Sequence, residues 1–451
     1  MIVKASSGWF RGNCNKKAPL RLKNHSIEDC RREKFPESWK TSWMYQVITH
    51  ASEILTGAGV RQKDGRRIKE SDLGRIPDGA LVYKTWKKGA KKVPGRIEWV
   101  GPTSALPKKW LRYKTTNLRQ KRAVTPGLVD CHNHLIFAGD RSNEFAARCA
   151  GATYEKIAQM GGGIIATVSA TRAATESQLE KLAVERLKKL YSGGIRTLEI
   201  KSGYGLSAAS EYKILRIIPK LRARFPEMTL TATFLGAHAF PQDRGRAEYL
   251  HELLEVMIPE VARLKLADSC DVFVDKGYYS VEEGRRILRC AQEFGLRVKV
   301  HADEMGNTES ATLAAEMGAL SADHLLQISN RGIKNLASSQ TVAVLLPGTA
   351  FYLKAAYAPA RKLINAGAVV ALATDFNPGT CMCLSLPTIM TIAALYLGMT
   401  RPEIFAAVTY NGAKALGLSA KKGTLEVGLD ADFWILPFPR FEDAYYRFAW
   451  G

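Results

Sequence analysis

The 451-residue chain has no uncharged apolar run near the roughly 18 residues that a membrane span requires. Residues 1–30 are broken repeatedly by charged and polar side chains, so they lack the apolar centre of a secretory signal. Glu28, Asp29, Glu33 and Glu37 equally disfavour an organellar transit peptide. No two of the eight cysteines (Cys14, Cys30, Cys131, Cys149, Cys270, Cys290, Cys381 and Cys383) form a C-x-x-C pair. That usage fits reduced thiols in a cytoplasmic protein rather than a disulfide framework. Cys381-Met382-Cys383 is an isolated C-x-C, read as core or loop thiols ahead of a soft-metal site. No internal repeat or low-complexity tract is present, and no G-x-G-x-x-G follows an early strand. Composition is unremarkable: 46% hydrophobic and 24% charged residues exclude a disordered or collagen-like chain, and the length allows a large core.

What is in excess is positive charge, a formal +22. Residues 1–123 hold 29 of the 65 Lys and Arg but only 10 of the 43 Asp and Glu, so the remainder is nearly balanced. Attraction to nucleic acid or another anionic surface is one reading of that basic quarter. A solvated, solubilising surface is favoured, because no aromatic-plus-basic nucleic-acid motif accompanies it.

From residue 123 onward, β-type and α-type segments alternate. Segments 123–131, 197–201, 229–238, 270–275, 296–302, 321–324, 341–347 and 368–375 read as eight strands. Thr175-Glu-Ser-Gln178 resembles a capping box, and Leu179, Leu182, Val184, Leu187 and Leu190 continue a helix to Gly193-Gly194. Ser280-Val-Glu-Glu283 opens another, carrying Ile287, Leu288, Ala291 and Phe294 to Gly295. Eight strands alternating with helices predict a (β/α)₈ TIM-like barrel over 124–417, with a doubly wound open sheet as the alternative. Residues 43–123 and 418–451 carry short apolar pieces among Gly, Pro and Lys, which predict a small β-sandwich domain built from both chain ends. Residues 1–42 match neither pattern and read as a disordered extension.

Chemistry gathers at the C-terminal ends of the predicted strands. His132-Asn-His134 ends the first, His301 the fifth, His324 the sixth and Asp375 the eighth. Strand residues i and i+2 point the same way, so H-x-H offers two imidazoles to one ion. Imidazole with carboxylate suits Zn²⁺ or ferrous iron. H-x-H alone is weak, since it arises by chance; its coincidence with further ligand types at strand ends, where barrel enzymes place their chemistry, is what points to a metal site.

Pro126-Gly-Leu-Val-Asp-Cys-His-Asn-His134 resembles the opening signature of the amidohydrolase superfamily, and His301-Ala-Asp-Glu304, Ala322-Asp-His324 and Ala373-Thr-Asp375 match its later strand-end motifs. Within it, Phe137-Ala-Gly-Asp-Arg-Ser-Asn-Glu-Phe145, Gly161-Gly-Gly-Ile164 and Glu199-Ile-Lys-Ser-Gly-Tyr-Gly205 are similar to the imidazolonepropionase family. So are Thr233-Phe-Leu-Gly-Ala-His238 and Ala373-Thr-Asp-Phe-Asn-Pro-Gly379. The resemblance spans roughly residues 43–448 and implies a hydrolase of the cyclic amide 4-imidazolone-5-propanoate in histidine degradation, yielding N-formimidoyl-L-glutamate. It implies one Zn²⁺ or Fe ion per chain held by His132, His134, His301 and Asp375. Arg141, Tyr204, His238, Glu304, Asn377, Gly379 and Thr380 would line the substrate site, with His324 close to the activated water.

The residue chemistry is consistent with that implication. Glu304, three residues past a ligand, can take a proton from water and return it to the leaving nitrogen; Asp375 can accept a hydrogen bond from that water. His324 can polarise the carbonyl, and Arg141 offers a planar fork to the propanoate. The expected partner is this small molecule, with neither nucleic acid nor membrane, and a homodimer is left open. The extension before Trp43 has no counterpart in the family pattern. The chain ends at Tyr446-Arg-Phe-Ala-Trp-Gly451 where the family runs on into another short strand, so an incomplete second part of the β domain is one expectation. Two alternatives stand: another amidohydrolase, such as a deaminase of a cyclic amidine or nucleobase-like ring, and a non-catalytic barrel binding nucleic acid through its basic N-terminal part.

Overall fold

Short apolar runs punctuated by Gly and Pro build the first sheet. The computed structural model describes residues 43–88, 91–152 and 162–448, without the side chains of 87, 88, 91 and 92. The extension 1–42, with the expectation that it is disordered, lies outside these residues, as does Gly161 of the glycine motif. Strands β1 (Met44–Leu55), β2 (Arg75–Lys88) and β3 (Lys91–Pro102) pair antiparallel, whereas β4 (Lys114–Asn117) and β5 (Val124–Pro126) both join β1 in parallel.

The barrel strands follow: β6 (Leu128–Asp130), β7 (Ile195–Lys201), β8 (Thr229–Ala237), β9 (Ser269–Val274), β10 (Arg297–Ala302), β11 (Ser321–His324), β12 (Val342–Leu345) and β13 (Val370–Leu372). Each pairs in parallel with its sequence neighbour, so the eight run round in chain order. This is the (β/α)₈ barrel that the alternation predicts. Beyond the last strand, Asp375 N donates to His132 O (3.0 Å) and His134 N to Phe376 O (3.0 Å), which join the first and last strands at their C-terminal ends.

β14 (Phe433–Ile435) returns from the far end of the chain to pair antiparallel with β5. The second domain is thus built from both chain ends, but it is one six-stranded sheet rather than the two layers of a sandwich. The reason is what covers it: Ile48, Ile54, Leu81, Ile97 and Val124 bury against Leu425 and Ala431, which come from a turn-rich segment and not from a second sheet.

The predicted single strand 123–131 is in fact two. Val124–Pro126 belongs to the small sheet and Leu128–Asp130 to the barrel, with Gly127 at the crossing. Gly127 N donates to Asp432 O, and a Cβ at this position would lie 2.5 Å from Arg196 and Asp432 atoms, so only glycine lets the two sheets approach so closely. Both predicted capping boxes form. Thr175 Oγ1 accepts from Gln178 N and Ser280 Oγ from Glu283 N, each at 3.2 Å, opening helices Glu176–Ser192 and Val281–Glu293. Each of the buried Leu179, Leu187, Leu190, Ile287 and Leu288 contributes roughly 1.5–3 kcal/mol by leaving water.

Four residues at or just past the barrel strands, Asp303, His324, Leu325 and Asp375, take left-handed backbone with φ of 48°, 80°, 65° and 48°. Such conformations are costly for non-glycine residues and persist where surrounding structure over-determines them, often at functional sites. Among the described residues, no helix is long and apolar enough to cross a membrane.

Candidate active site

At the C-terminal end of the barrel, strand geometry turns the separated histidines into one cluster. The His132 ring centre lies 4.5 Å from that of His301 and 5.3 Å from that of His134; His134 stacks on His238 at 5.0 Å, and His301 lies 5.2 Å from His324. Burial, reinforced by neighbouring positive and imidazole groups, holds His132, His134 and His324 well below the usual imidazole range. Burial likewise pushes His238 down to about 3. These rings are therefore neutral near pH 7, the form that offers a lone pair.

His132 Nδ1 lies 2.6 Å from Asp323 Oδ2. Donating there leaves Nε2 as the ring's acceptor, and that buried atom has no hydrogen-bond partner. It lies 3.4 Å from Asp375 Oδ1, and His134 Nε2 lies 3.6 Å from the same oxygen. Thr349 Oγ1 donates to the other oxygen, Asp375 Oδ2, at 2.6 Å. His301 Nε2 is also buried without a partner. Donor atoms of His132, His134 and Asp375 all lie within 4.8 Å of one another, and overlapping groups add His301 with His324 and with His238. Buried, unsatisfied acceptors gathered around one carboxylate are what a cation relieves, and the imidazole–carboxylate set fits Zn²⁺ or ferrous iron.

Beside the cluster, Glu304 Oε1 lies 3.5 Å from His324 Nδ1. Its backbone N and that of Met305 both donate to Asp275 Oδ2 at 2.8 Å, which fixes the turn. Burial first, then the charges of Asp375 and Asp275, hold the Glu304 carboxyl well above the usual carboxylate range. Burial also raises Asp375, to about 6.

A cavity of about 260 Å³ opens over this cluster. His134, His238, His301, His324, Glu304 and Asp375 are among its lining residues, as are Arg141, Tyr204, Asn377 and Thr380. Two residues of the expected set do not line it. His132 is fully buried behind the others, and Gly379 serves as clearance, because a Cβ there would collide with Arg141 Nη1. The Asn377 side chain is spent on its own loop: Oδ1 accepts from Gly379 N and Thr380 N (2.9 and 2.8 Å), while Nδ2 donates to Asp375 O at 2.7 Å.

Residues 123–445 match the family model described as amidohydrolase family. An imidazolonepropionase from Symbiobacterium thermophilum is 45% identical over 411 residues, covering 90% of this chain and 94% of that protein. One from Porphyromonas gingivalis is 47% identical over 412 residues, with coverage of 90% and 94%. The chain belongs to the imidazolonepropionase family. Among solved structures, the ochratoxinase of A. niger is similar with a TM-score of 0.62 and 18% identity, covering 89% of this chain and 92% of that one; it shares the fold. Metal dependence goes with this amidohydrolase membership, and the unsatisfied imidazoles are in keeping with it.

Several residues of this family member's site escape the sequence reading. Glu144, Arg148, Phe273, Tyr278 and Met305 also line the cavity. Beneath the histidines, Lys201, Lys299, Glu199, Asp271 and Asp323 form a fully buried ionic network. Lys201 Nζ lies 2.6 Å from Asp271 and 3.0 Å from Glu199; Lys299 Nζ lies 2.7 Å from Glu199 and donates to Cys131 O at 2.8 Å. Asp271 in turn lies 3.1 Å from His301 Nδ1. Burial opposes the charge on Lys201, but Asp271 and Glu199 outweigh it and raise its ammonium above the usual range. One signal was present: Glu199 with Lys201, and Lys299 with His301, sit at i and i+2 of β7 and β10, on the same strand face.

Proposed function

We propose that this chain hydrolyses the ring C–N bond of 4-imidazolone-5-propanoate to give N-formimidoyl-L-glutamate, a step of histidine degradation. The observation that carries the reading is one cavity with both a cation-ready His/Asp cluster and the Arg141 guanidinium among its lining residues. His132, His134, His301 and Asp375 would hold one Zn²⁺ or Fe ion. Such an ion, when bound, lowers the pKa of a coordinated water to about 7 and so supplies a hydroxide-like nucleophile at neutral pH. Glu304 takes the proton from the water that attacks the ring carbonyl and returns it to the ring nitrogen as the C–N bond breaks. His324, beside Glu304, polarises the carbonyl and steadies its developing negative charge. Arg141 pairs with the propanoate, while Tyr204, His238, Asn377, Gly379 and Thr380 shape and orient the pocket. A cytoplasmic setting is in keeping with the free thiols of Cys131, Cys149, Cys270, Cys290, Cys381 and Cys383.

The test is turnover of freshly generated imidazolonepropanoate by the purified full chain, followed by loss of absorbance, with product mass and bound metal measured in parallel. Formation of formimidoylglutamate supports the reading. Ammonia release in its place would assign a deaminase instead.

A further inference from the structure

Arg141 does not reach the cavity as a free side chain. Its Nε donates to Glu144 Oε2 at 2.8 Å and its Nη2 donates to Glu144 Oε1, so one carboxylate grips the side edge of the guanidinium. Glu144 is anchored from the other direction by Gly163 N, which donates to Oε2 at 2.8 Å. Both side chains are largely enclosed, with 12% of Arg141 and 9% of Glu144 exposed. Burial works against ionisation of Glu144, but Arg141 and the Gly163 amide overcome it and hold the carboxyl below its usual range.

A guanidinium carries five N–H donors in a planar fork with two usable edges. Glu144 takes the Nε/Nη2 edge, which leaves both Nη1 hydrogens and the second Nη2 hydrogen. Among the described residues, Nη1 has no hydrogen-bond partner, and it lies against Gly379 where no side chain intrudes. That remaining Nη1/Nη2 edge is itself a bidentate carboxylate site. A second cation lies beside this edge: Arg148 also lines the cavity and its Nη2 donates to Gly379 O at 3.3 Å, on the same glycine that the Arg141 guanidinium packs against.

We infer that Glu144 is a positioning residue: it clamps Arg141 by its side edge so that the end edge is presented, already ordered, to the single carboxylate arm of the substrate. The inference rests on the hydrolase reading above and deepens it. A long arginine side chain that is fixed before binding loses less freedom on forming its two hydrogen bonds, which lowers KM rather than raising kcat. The opposite role, in which Glu144 occupies the substrate's place and must be displaced, predicts the reverse sign.

The experiment measures kcat and KM of the full-length wild type, Glu144→Ala and Glu144→Gln on imidazolonepropanoate and on an analogue whose propanoate is a neutral amide. Removing Glu144 adds a net positive charge, which by itself would draw the anionic substrate in. Lost positioning should nevertheless raise KM for the acid about 5- to 30-fold, the factor that one or two kcal/mol represents. Expected alongside are kcat within about twofold, an unchanged amide analogue and unchanged metal content. Glu144→Gln keeps an acceptor for one of the two N–H groups and should lie between wild type and Glu144→Ala; being nearly isosteric, it also serves if the alanine variant does not fold. In an Arg141→Ala background, Glu144→Ala should cost nothing further on the acid. An unchanged or lower KM, equal losses on both substrates, or additive losses in the double variant overturns the inference while wild-type turnover keeps the hydrolase reading. No wild-type turnover removes that reading and this inference with it.

Discussion

His132 Nδ1 and Asp323 Oδ2 stand 2.6 Å apart with neither side chain exposed at all. The carboxylate sits on β11 one residue before His324, and the ammonium groups of Lys299 and Lys201 lie 3.7 and 3.8 Å from the same oxygen. Asp323 thereby decides which nitrogen of His132 carries the proton and which faces Asp375. Asp323→Asn keeps the shape but removes the charge that holds this tautomer. It should weaken metal retention about 10- to 100-fold, read by competition with a chelator on protein whose circular dichroism matches wild type. Undiminished retention would mean that the packing of His132 alone sets its orientation.

Stripping the metal with a strong chelator should abolish turnover and lower the melting temperature, since an ion bound only by the folded state stabilises it. Adding Zn²⁺ or Fe²⁺ should restore both in the wild type, but not in His134→Ala or Asp375→Asn. Full turnover by the stripped protein would sink the metal assignment.

Arg141→Ala should lower kcat/KM on imidazolonepropanoate about 10- to 150-fold, equivalent to roughly 1.5–3 kcal/mol for a charge-assisted bidentate contact, with metal content unaltered. The neutral amide analogue should already be a poor substrate for the wild type and should suffer little more. Equal losses on the two substrates would mean that Arg141 holds its loop and not the carboxylate.

Gly379→Ala places a methyl group where Arg141 Nη1 now lies, and the glycine is buried between Asn377 and Thr380. The guanidinium must move, so KM for the acid should rise while the amide analogue changes little. A wild-type KM would show that the Arg141 side chain can shift without loss.

Thr175→Ala removes the side chain that accepts from Gln178 N at the start of helix Glu176–Ser192. It should cost about 1 kcal/mol in urea unfolding and leave kcat/KM at the wild-type value, because Thr175 is remote in role from the cavity lining. A larger loss would indicate that this cap also supports a neighbouring element.

Local chemistry made much of this protein legible without coordinates. Capping at Thr175 and Ser280 depends on residues three apart, and strand identity depends on apolar patterning over a few positions, so both are written in short stretches of sequence. Strand-end position likewise singled out His134, His301 and Asp375, and the family resemblance added Arg141, Tyr204 and Asn377; all of these now border one cavity. Other features depended on which distant groups meet. Gly127 divides what reads as one strand because Asp432 and Arg196 arrive beside it, and the small domain is one sheet because the turn-rich segment of Leu425 and Ala431 covers its apolar face. Lys201 finds Asp271, 70 residues away, and Lys299 finds Glu199, 100 residues away, in an interior from which water is excluded. A sequence lists charges, but their energy is set by separation and desolvation, and only the closed barrel fixes either.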